Sequence, residues 1–226
     1  MKRALILNMP DRIDRYERTV ANYPSCLPKP ERYVGITAQE VKVPDWWQGG
    51  QVYGSNRQNF IALFDVASKA DDWTFIFEDD VCFCQDFEEK LDAFLNEVPY
   101  DWDVLYLGGQ HFVKQYYNPV QVSPNVLRAY SMIRTHAMIA RPETAGRIRD
   151  WLVDGPWGVL HIADNRMAQF MMEPQNRVYC PIKFICGQRG AEKSTQCGCV
   201  FSTDMYFNWF MYKDMDGKLV GQNDLL

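Results

Sequence analysis

Apolar and polar positions fall in blocks along this chain, and the period changes from block to block. "RALILNM", residues 3–9, is a nearly continuous apolar run closed by Pro10 and Asp11, the pattern of a strand buried on both faces. "DRIDRYERTVANY" then carries Ile13, Tyr16 and Val20 at helical spacing and stops at Pro24. "ERYVGI", 31–36, reads as a second short strand, and 37–54, with Pro44, two tryptophans and paired glycines, as a loop. A helix is expected from about Ser55, with Phe60, Leu63, Phe64 and Ala67 on one face and Asp71–Asp72 at its end. "WTFIF", 73–77, is a central strand, "CQDFEEKLDAFLNEV" a helix using Phe87, Leu91, Phe94 and Leu95, and "WDVLYLGG" a further strand.

The second half is less regular. "VLRAYSMIRTHAMIARPETAGRIRDWL" predicts one or two strands to about Ile139, then a helix with Pro142 in its first turn, where the missing N–H costs nothing. "HIADNRMAQFMM" reads as a short helix, "NRVYCPI" as a strand, and 187–203, polar and rich in Gly and Cys, as a loop. "DMYFNWFMYKDMDG" is apolar enough to dock as a last helix or strand. The expected organisation is one catalytic domain over 1–200 and a C-terminal docking segment over 201–226. Strands alternating with helices argue an α/β fold on a mostly parallel central sheet, in which ligands gather at the carboxyl ends of the strands.

Composition narrows the class. A 226-residue chain that is 47% hydrophobic and 23% charged is globular, not disordered. The net charge of −5 gives no bulk attraction to a phosphate backbone, and no Lys/Arg block supplies a local one. No apolar stretch approaches the roughly 18 residues of a membrane span, and the first apolar run is short for a secretion signal, so the expected location is cytoplasmic. Seven cysteines, with C-x-C pairs at Cys82/Cys84 and Cys197/Cys199, are then expected as free thiols.

The chemistry concentrates in "WTFIFEDDVCF", where a buried strand runs into Glu78, Asp79 and Asp80. Three carboxylates at a strand tip repel one another unless something positive sits among them. Mg²⁺ or Mn²⁺, which favour carboxylate, water and phosphate oxygens, are the simplest answer. Residues i and i+2 of an extended segment point the same way, so Glu78 and Asp80 can face one ion while Asp79 turns aside. The alternative is a solvated acidic turn before a helix, where acids favour the helix dipole.

In order along the chain, "LILNMPDRIDRYE", "ERYVGITA", "GSNRQNFIALFDVA", "WTFIFEDDVCF", "DWDVLYLGG", "RTHAMIARPETAGRI", "HIADNRM" and "VYCPIKF" resemble glycosyltransferase family 25, the lipooligosaccharide and collagen β-galactosyltransferase group. The resemblance covers most of the chain to about residue 188. It implies a GT-A-like, Rossmann-type nucleotide-sugar-binding domain and an inverting, metal-dependent transfer of a hexose from a UDP-sugar to an acceptor hydroxyl. Glu78 and Asp80 then match the metal motif and Asp79 a donor-sugar contact. Asn8, Arg12 and Arg15 line the nucleotide side, unless Arg15 serves only to solvate the first helix. In "GSNRQN", Gln58 and Asn59 stand where the family carries Ser-His; Asn59 can bond a phosphate or acceptor but cannot carry charge. A saccharide is the acceptor the family implies, a hydroxymethylated base of phage-type DNA ranks second, and a protein hydroxyl third. A nucleotidyltransferase or a non-enzymatic nucleotide- or sugar-binding module would use the same strand-end carboxylates.

An inverting transfer needs a base for the acceptor proton. His161 and Asp164 stand at i and i+3 of the "HIAD" helix, and Asp164 is the preferred base. His136 is either a buried strand residue or an acceptor contact, and His111, past a strand end, could face the cleft. Cys180, Cys186, Cys197 and Cys199 invite a zinc reading, against which stands the missing close C-x₂₋₄-C opening pair. Trp46 and Trp47 either stack on a ring of the substrate or anchor their loop.

Overall fold

Strand β3 (Thr74–Glu78) explains the unbroken apolar run of the sequence, because both of its faces are covered. Phe75 and Phe77 point into one apolar layer, Ile76 into the other. The same alternation divides β1 (Arg3–Asn8), with Ala4 and Ile6 on one side and Leu5 and Leu7 on the other, and β5 (Val104–His111), with Leu105 and Leu107 opposed to Val104 and Tyr106. A strand buried on both faces needs apolar residues at every position, so period 2 disappears from the sequence.

The computed structural model describes residues 2–45, 47, 50–111, 118–155, 162–190 and 211–221. Helices α2 (Gly50–Ser68), α4 (Pro142–Asp154) and α5 (Ala163–Met172) cover one face, contributing Phe60, Phe64, Ile148 and Met167 to the core. On the other, α3 (Phe87–Glu97) inserts Phe87, Leu91 and Phe94, and α1 (Ile13–Ala21) packs Tyr16 alongside. The remaining strands are β2 (Pro30–Val34), β4 (Val81–Phe83), β6 (Val120–Ser123), β7 (Val126–Ala129), β8 (Met132–Ala140), β9 (Val178–Pro181), β10 (Cys186–Gln188), β11 (Met211–Lys213) and β12 (Leu219–Gly221).

The main sheet runs β12-β11-β6-β7-β9-β5-β8-β3-β1-β2, and β4 pairs with β10 in a separate two-stranded sheet. The expected mostly parallel sheet is corrected to a mixed one. Strand β8 lies antiparallel between β3 and β5, and the β6–β7, β7–β9 and β11–β12 pairings are antiparallel too, against parallel pairing of β1 with β2 and β3, of β5 with β9 and of β6 with β11. The fold is therefore a mixed α/β three-layer arrangement. In the C-terminal segment, β11 and β12 add to the β6 edge of the sheet.

Strands β4, β6 and β10 have no counterpart in the sequence reading, β10 running into the expected loop from 187, and two helices depart from it. Helix α2 begins at Gly50 within the expected loop; Trp47, buried, donates its indole N–H to Gly50 O at 2.6 Å and anchors that start. Helix α1 does not bury the face that periodicity selects, since Ile13 and Val20 are exposed while Arg15 and Thr19 are buried. The polar pair at i and i+4 is turned toward the end of β3.

Candidate active site

At the carboxyl end of β3 the chain passes through Glu78, Asp79 and Asp80 into β4, beside a cleft of about 110 Å³. Asp79 faces α1. Its carboxylate accepts from Asn8 Nδ2 at 2.6 Å and lies 3.5 Å from Arg15 Nη1, while Thr19 Oγ1 donates to its backbone carbonyl at 2.7 Å. Asn8 closes β1 and accepts in turn from Arg32 Nε at 2.7 Å. The inward polar face of α1 therefore clamps the turn that presents the acids.

Glu78 continues the Ile76 side of β3, toward α5, as the period of 2 requires. There Thr135 Oγ1 stands 3.1 Å from Glu78 Oε1 and 3.0 Å from Asp164 Oδ1. The other oxygen of Asp164, a residue of the first turn of α5, accepts the backbone N–H of Arg134 at 3.1 Å. Asp80 is held from the second sheet: Gln188 Nε2 donates to its Oδ2 at 2.7 Å, and Arg189 N to its backbone carbonyl at 2.7 Å. Arg15 Nη1 lies 3.9 Å from the same Oδ2. Oδ1 of Asp80 is buried with no hydrogen-bond partner among the described residues.

Burial sets the electrostatics. It pushes the Asp80 carboxyl up to about 6 and those of Asp79 and Asp164 above the ordinary aspartate range. Glu78 is raised well above its ordinary value, first by burial and then by the charges of Asp80 and Asp164. Hydrogen bonds from Asn8, Gln188, Thr135 and Arg134 N–H work in the opposite direction. The cluster thus holds its protons more tightly than free carboxyls do, and a cation placed among the carboxylates would relieve the same cost.

The donor set fits a divalent cation of the kind that takes one or two carboxylates and fills its shell with water and phosphate oxygens. Asp80 Oδ1, buried and without a partner, is the observation that favours this. Among the described residues no three His, Cys, Asp or Glu side chains form a ready-made ion cage.

Of the residues selected from the sequence, Glu78, Asp79, Asp80, Asp164, Arg15, Asn59 and His136 line the cleft, and Asn8 supports it from beneath. Arg15 is buried against Asp79 and Asp80, which removes the reading in which it merely solvates its helix. Arg12 occupies the N-cap position of α1, outside the residues that line the cleft, and pairs with Asp14 at 3.3 Å. Asn59 is committed to the backbone of Ile36, accepting its N–H at 2.8 Å and donating to its carbonyl at 3.1 Å, so it shapes the wall. His136 is pushed down to about 3 by burial and is neutral at physiological pH. His111 does not face the cleft; it is buried with its ring stacked on Phe184 at 5.6 Å and 3.7 Å from Cys180 Sγ. Cys180 and Cys186 are free, buried thiols. His161, Trp46, Cys197 and Cys199 lie outside the described residues.

Sequence reasoning passed over Thr19, Arg134, Thr135 and Gln188. Thr19 carried a signal in retrospect, since it repeats Arg15 at i+4 on a polar stripe. Gln188 carried none, because its role depends on the β4–β10 pairing of Val81 with Gln188.

No family model matches the chain, and no curated protein matches it. The resemblance to glycosyltransferase family 25 is therefore carried by the quoted motifs alone. Two solved structures match the chain at low similarity. A197 from STIV shares 14% identity over 99% of this chain and 94% of that one, with a TM-score of 0.38. Mannose-1-phosphate geranyltransferase from Thermus thermophilus shares 13% identity over 78% of this chain and 58% of that one, with a TM-score of 0.34. Both scores are too low to bear on the fold or the activity. No helix among the described residues is long and apolar enough to cross a membrane.

Proposed function

We propose that this chain is a glycosyltransferase of GT-A-like architecture that moves a hexose from a UDP-sugar to an acceptor hydroxyl, with inversion and with Mn²⁺ or Mg²⁺ as cofactor. The observation that carries the reading is the paired acid arrangement at the β3 terminus. Asp80 offers a buried oxygen without a partner among the described residues, and Glu78 is crowded by three further carboxylates, Asp80, Asp164 and Asp79. An acidic turn with only a structural role would be exposed or fully paired. The ordered motifs of the sequence support the donor class, and a saccharide is the acceptor they favour.

In this reading Glu78 and Asp80 would hold the cation, which would supply positive charge to offset that of a departing nucleoside diphosphate. Asp164 takes the proton of the acceptor hydroxyl as its oxygen bonds to the sugar's anomeric carbon and the bond from that carbon to the diphosphate oxygen breaks. Arg134 N–H and the Thr135 hydroxyl orient the Asp164 carboxylate. Asn8, Arg15 and Thr19 hold Asp79 and with it the turn.

Calorimetric titration of UDP into the protein, with Mn²⁺ and then with EDTA, tests the proposal beside Asp80→Asn. Metal-dependent binding in the wild type and its loss in the variant are expected. Failure of every common nucleoside diphosphate to bind would reject it.

A further inference from the structure

Arg134 adopts φ of +70°, and Asp86, at the start of α3, is the other non-glycine residue at positive φ among the described residues. Aspartate tolerates this region because its short side chain bonds locally; a long arginine side chain has no such compensation. Glycine would adopt the same backbone without steric cost. The conformation has an evident local use. It aims the N–H of residue 134 and the hydroxyl of Thr135 at the same Asp164 carboxylate, at 3.1 Å and 3.0 Å. That use needs a left-handed residue and nothing from its side chain.

What arginine adds over glycine is a guanidinium, and Arg134 lines the cleft with Glu78, Asp80 and Asp164. Arg15, the other arginine in the cleft, stands on the α1 side and is engaged with Asp79 and Asp80. Arg134 stands on the α5 side, next to the carboxylate assigned the acceptor proton. A guanidinium fork matches pairs of phosphate oxygens, and beside a carboxylate-held cation it suits an anion that bridges the two.

We infer that Arg134 binds the diphosphate of the donor, its guanidinium engaging the phosphate oxygens that leave with the nucleotide. This assignment rests on the glycosyltransferase reading above. Arg134 thereby joins two tasks in one residue: its backbone orients the base and its side chain holds the leaving group.

The test compares the wild type with Arg134→Gly and Arg134→Lys, by thermal melting and by calorimetric titration of UDP, uridine and inorganic pyrophosphate, each with Mn²⁺ present. Arg134→Gly should melt within about 3 °C of the wild type or above it, because glycine relieves the backbone. It should lose about tenfold or more in affinity for UDP and pyrophosphate and keep its affinity for uridine. Arg134→Lys should recover only part of the loss, since an ammonium cannot bridge two oxygens as a fork does. Unchanged UDP and pyrophosphate affinity in Arg134→Gly would overturn the assignment and leave the glycosyltransferase reading standing. Equal losses for uridine and UDP together with a much lower melting point would overturn it in favour of a structural role. Pyrophosphate binding that depends on Arg134, without binding of UDP, would keep the assignment and reject the uridine donor. A wild type that binds neither ligand would reject both.

Discussion

Glu78 and Asp164 meet at one hydroxyl: Thr135 Oγ1 lies 3.1 Å from a carboxylate oxygen of the first and 3.0 Å from one of the second. A hydroxyl carries a single proton and donates to one acceptor at a time. The pair therefore depends on a proton on one carboxyl or on a cation nearby. Both groups are held lower in pKa by this donor than burial alone would leave them. Thr135→Val keeps the volume and removes the donor. We expect a loss of about 1–3 kcal/mol at pH 7 in urea denaturation without metal. We also expect the pH at which Mn²⁺ begins to stabilise the protein to move upward. Unchanged stability would mean that the hydroxyl is turned elsewhere.

The Asp80 carboxyl carries its own pH signature. Its pKa rises from 3.8 to about 6 on folding, chiefly through burial, so the native state binds this proton more tightly than the unfolded chain. Stability then falls as pH rises from about 4 to 6, by roughly 3 kcal/mol from this group, and levels off above. The sign is opposite to that of a salt-bridged aspartate. Mn²⁺ competes with the proton, so the thermal shift produced by Mn²⁺ should be small at about pH 4.5 and grow to about pH 7. Asp80→Asn mimics the protonated form. It should flatten part of the slope, match or exceed the wild type in melting point at pH 7 without metal, and lose the Mn²⁺ shift. Glu31, Glu40 and Glu97, lowered in pKa on folding, slope the other way. The decisive quantity is therefore the wild type minus Asp80→Asn difference, and its climbing between pH 4 and 6 without metal would contradict this.

Much of this was legible in the chain. "WTFIFEDD" gave away a doubly buried strand ending in acids, because an unbroken apolar run of that length reads as a strand covered on both faces. Strand direction was not legible: the Ala137–Ala140 half of β8 is apolar on both faces, as a parallel strand would be, and only its pairing with β3 and β5 reveals that it runs the other way. The buried face of α1 was misread for a physical reason. Periodicity assumes that the inward face is apolar, and here the inward positions are Arg15 and Thr19, buried because they serve Asp79 and Asp80. The left-handed backbone at Arg134 leaves no trace in composition, since the residue type argues against it.

Gly108 ties the strand core to the site. A Cβ there would lie 2.2 Å from the backbone oxygen of Cys186 and 2.7 Å from Nε2 of His136. Cys186 begins β10, whose last residue, Gln188, donates to Asp80. Backbone cannot yield as a flexible side chain does, so Gly108→Ala should displace β10. We expect a cost of about 1–3 kcal/mol in stability and weaker Mn²⁺ binding, measured by denaturation and by metal titration. A purely local clash would cost stability and leave metal affinity alone.

Arg57 is fully buried on α2, its guanidinium donating to the carbonyls of Leu152 and Gly155 at the end of α4. Burial depresses its pKa to about 10, and it remains charged at neutral pH. It satisfies orphan carbonyls of a helix end and favours the helix dipole. Arg57→Met keeps much of the volume and strands those carbonyls. A loss of about 3 kcal/mol in denaturant unfolding is expected, with the same loss in the presence and absence of Mn²⁺. A Mn²⁺-dependent difference would place Arg57 in the functional machinery instead.

Asp164 and Asp80 line one cleft with different assigned tasks, and their amide variants should separate them. Asp164→Asn keeps one acceptor oxygen for Arg134 N–H, turns its amide NH2 toward the Thr135 hydroxyl oxygen, which can accept, and removes the basicity. Its binding of UDP with Mn²⁺ should stay within about threefold of the wild type, while its turnover, followed as UDP release from a UDP-hexose with acceptor or water, should fall by about 10²–10⁴. Asp80→Asn should lose binding and turnover together. The pH profile divides the two further, because the residual rate of Asp164→Asn should no longer rise with the titration of a carboxyl base. If Asp164→Asn loses metal-dependent UDP binding as completely as Asp80→Asn, Asp164 belongs with Glu78 and Asp80 as a cation-holding acid and the acceptor proton goes elsewhere.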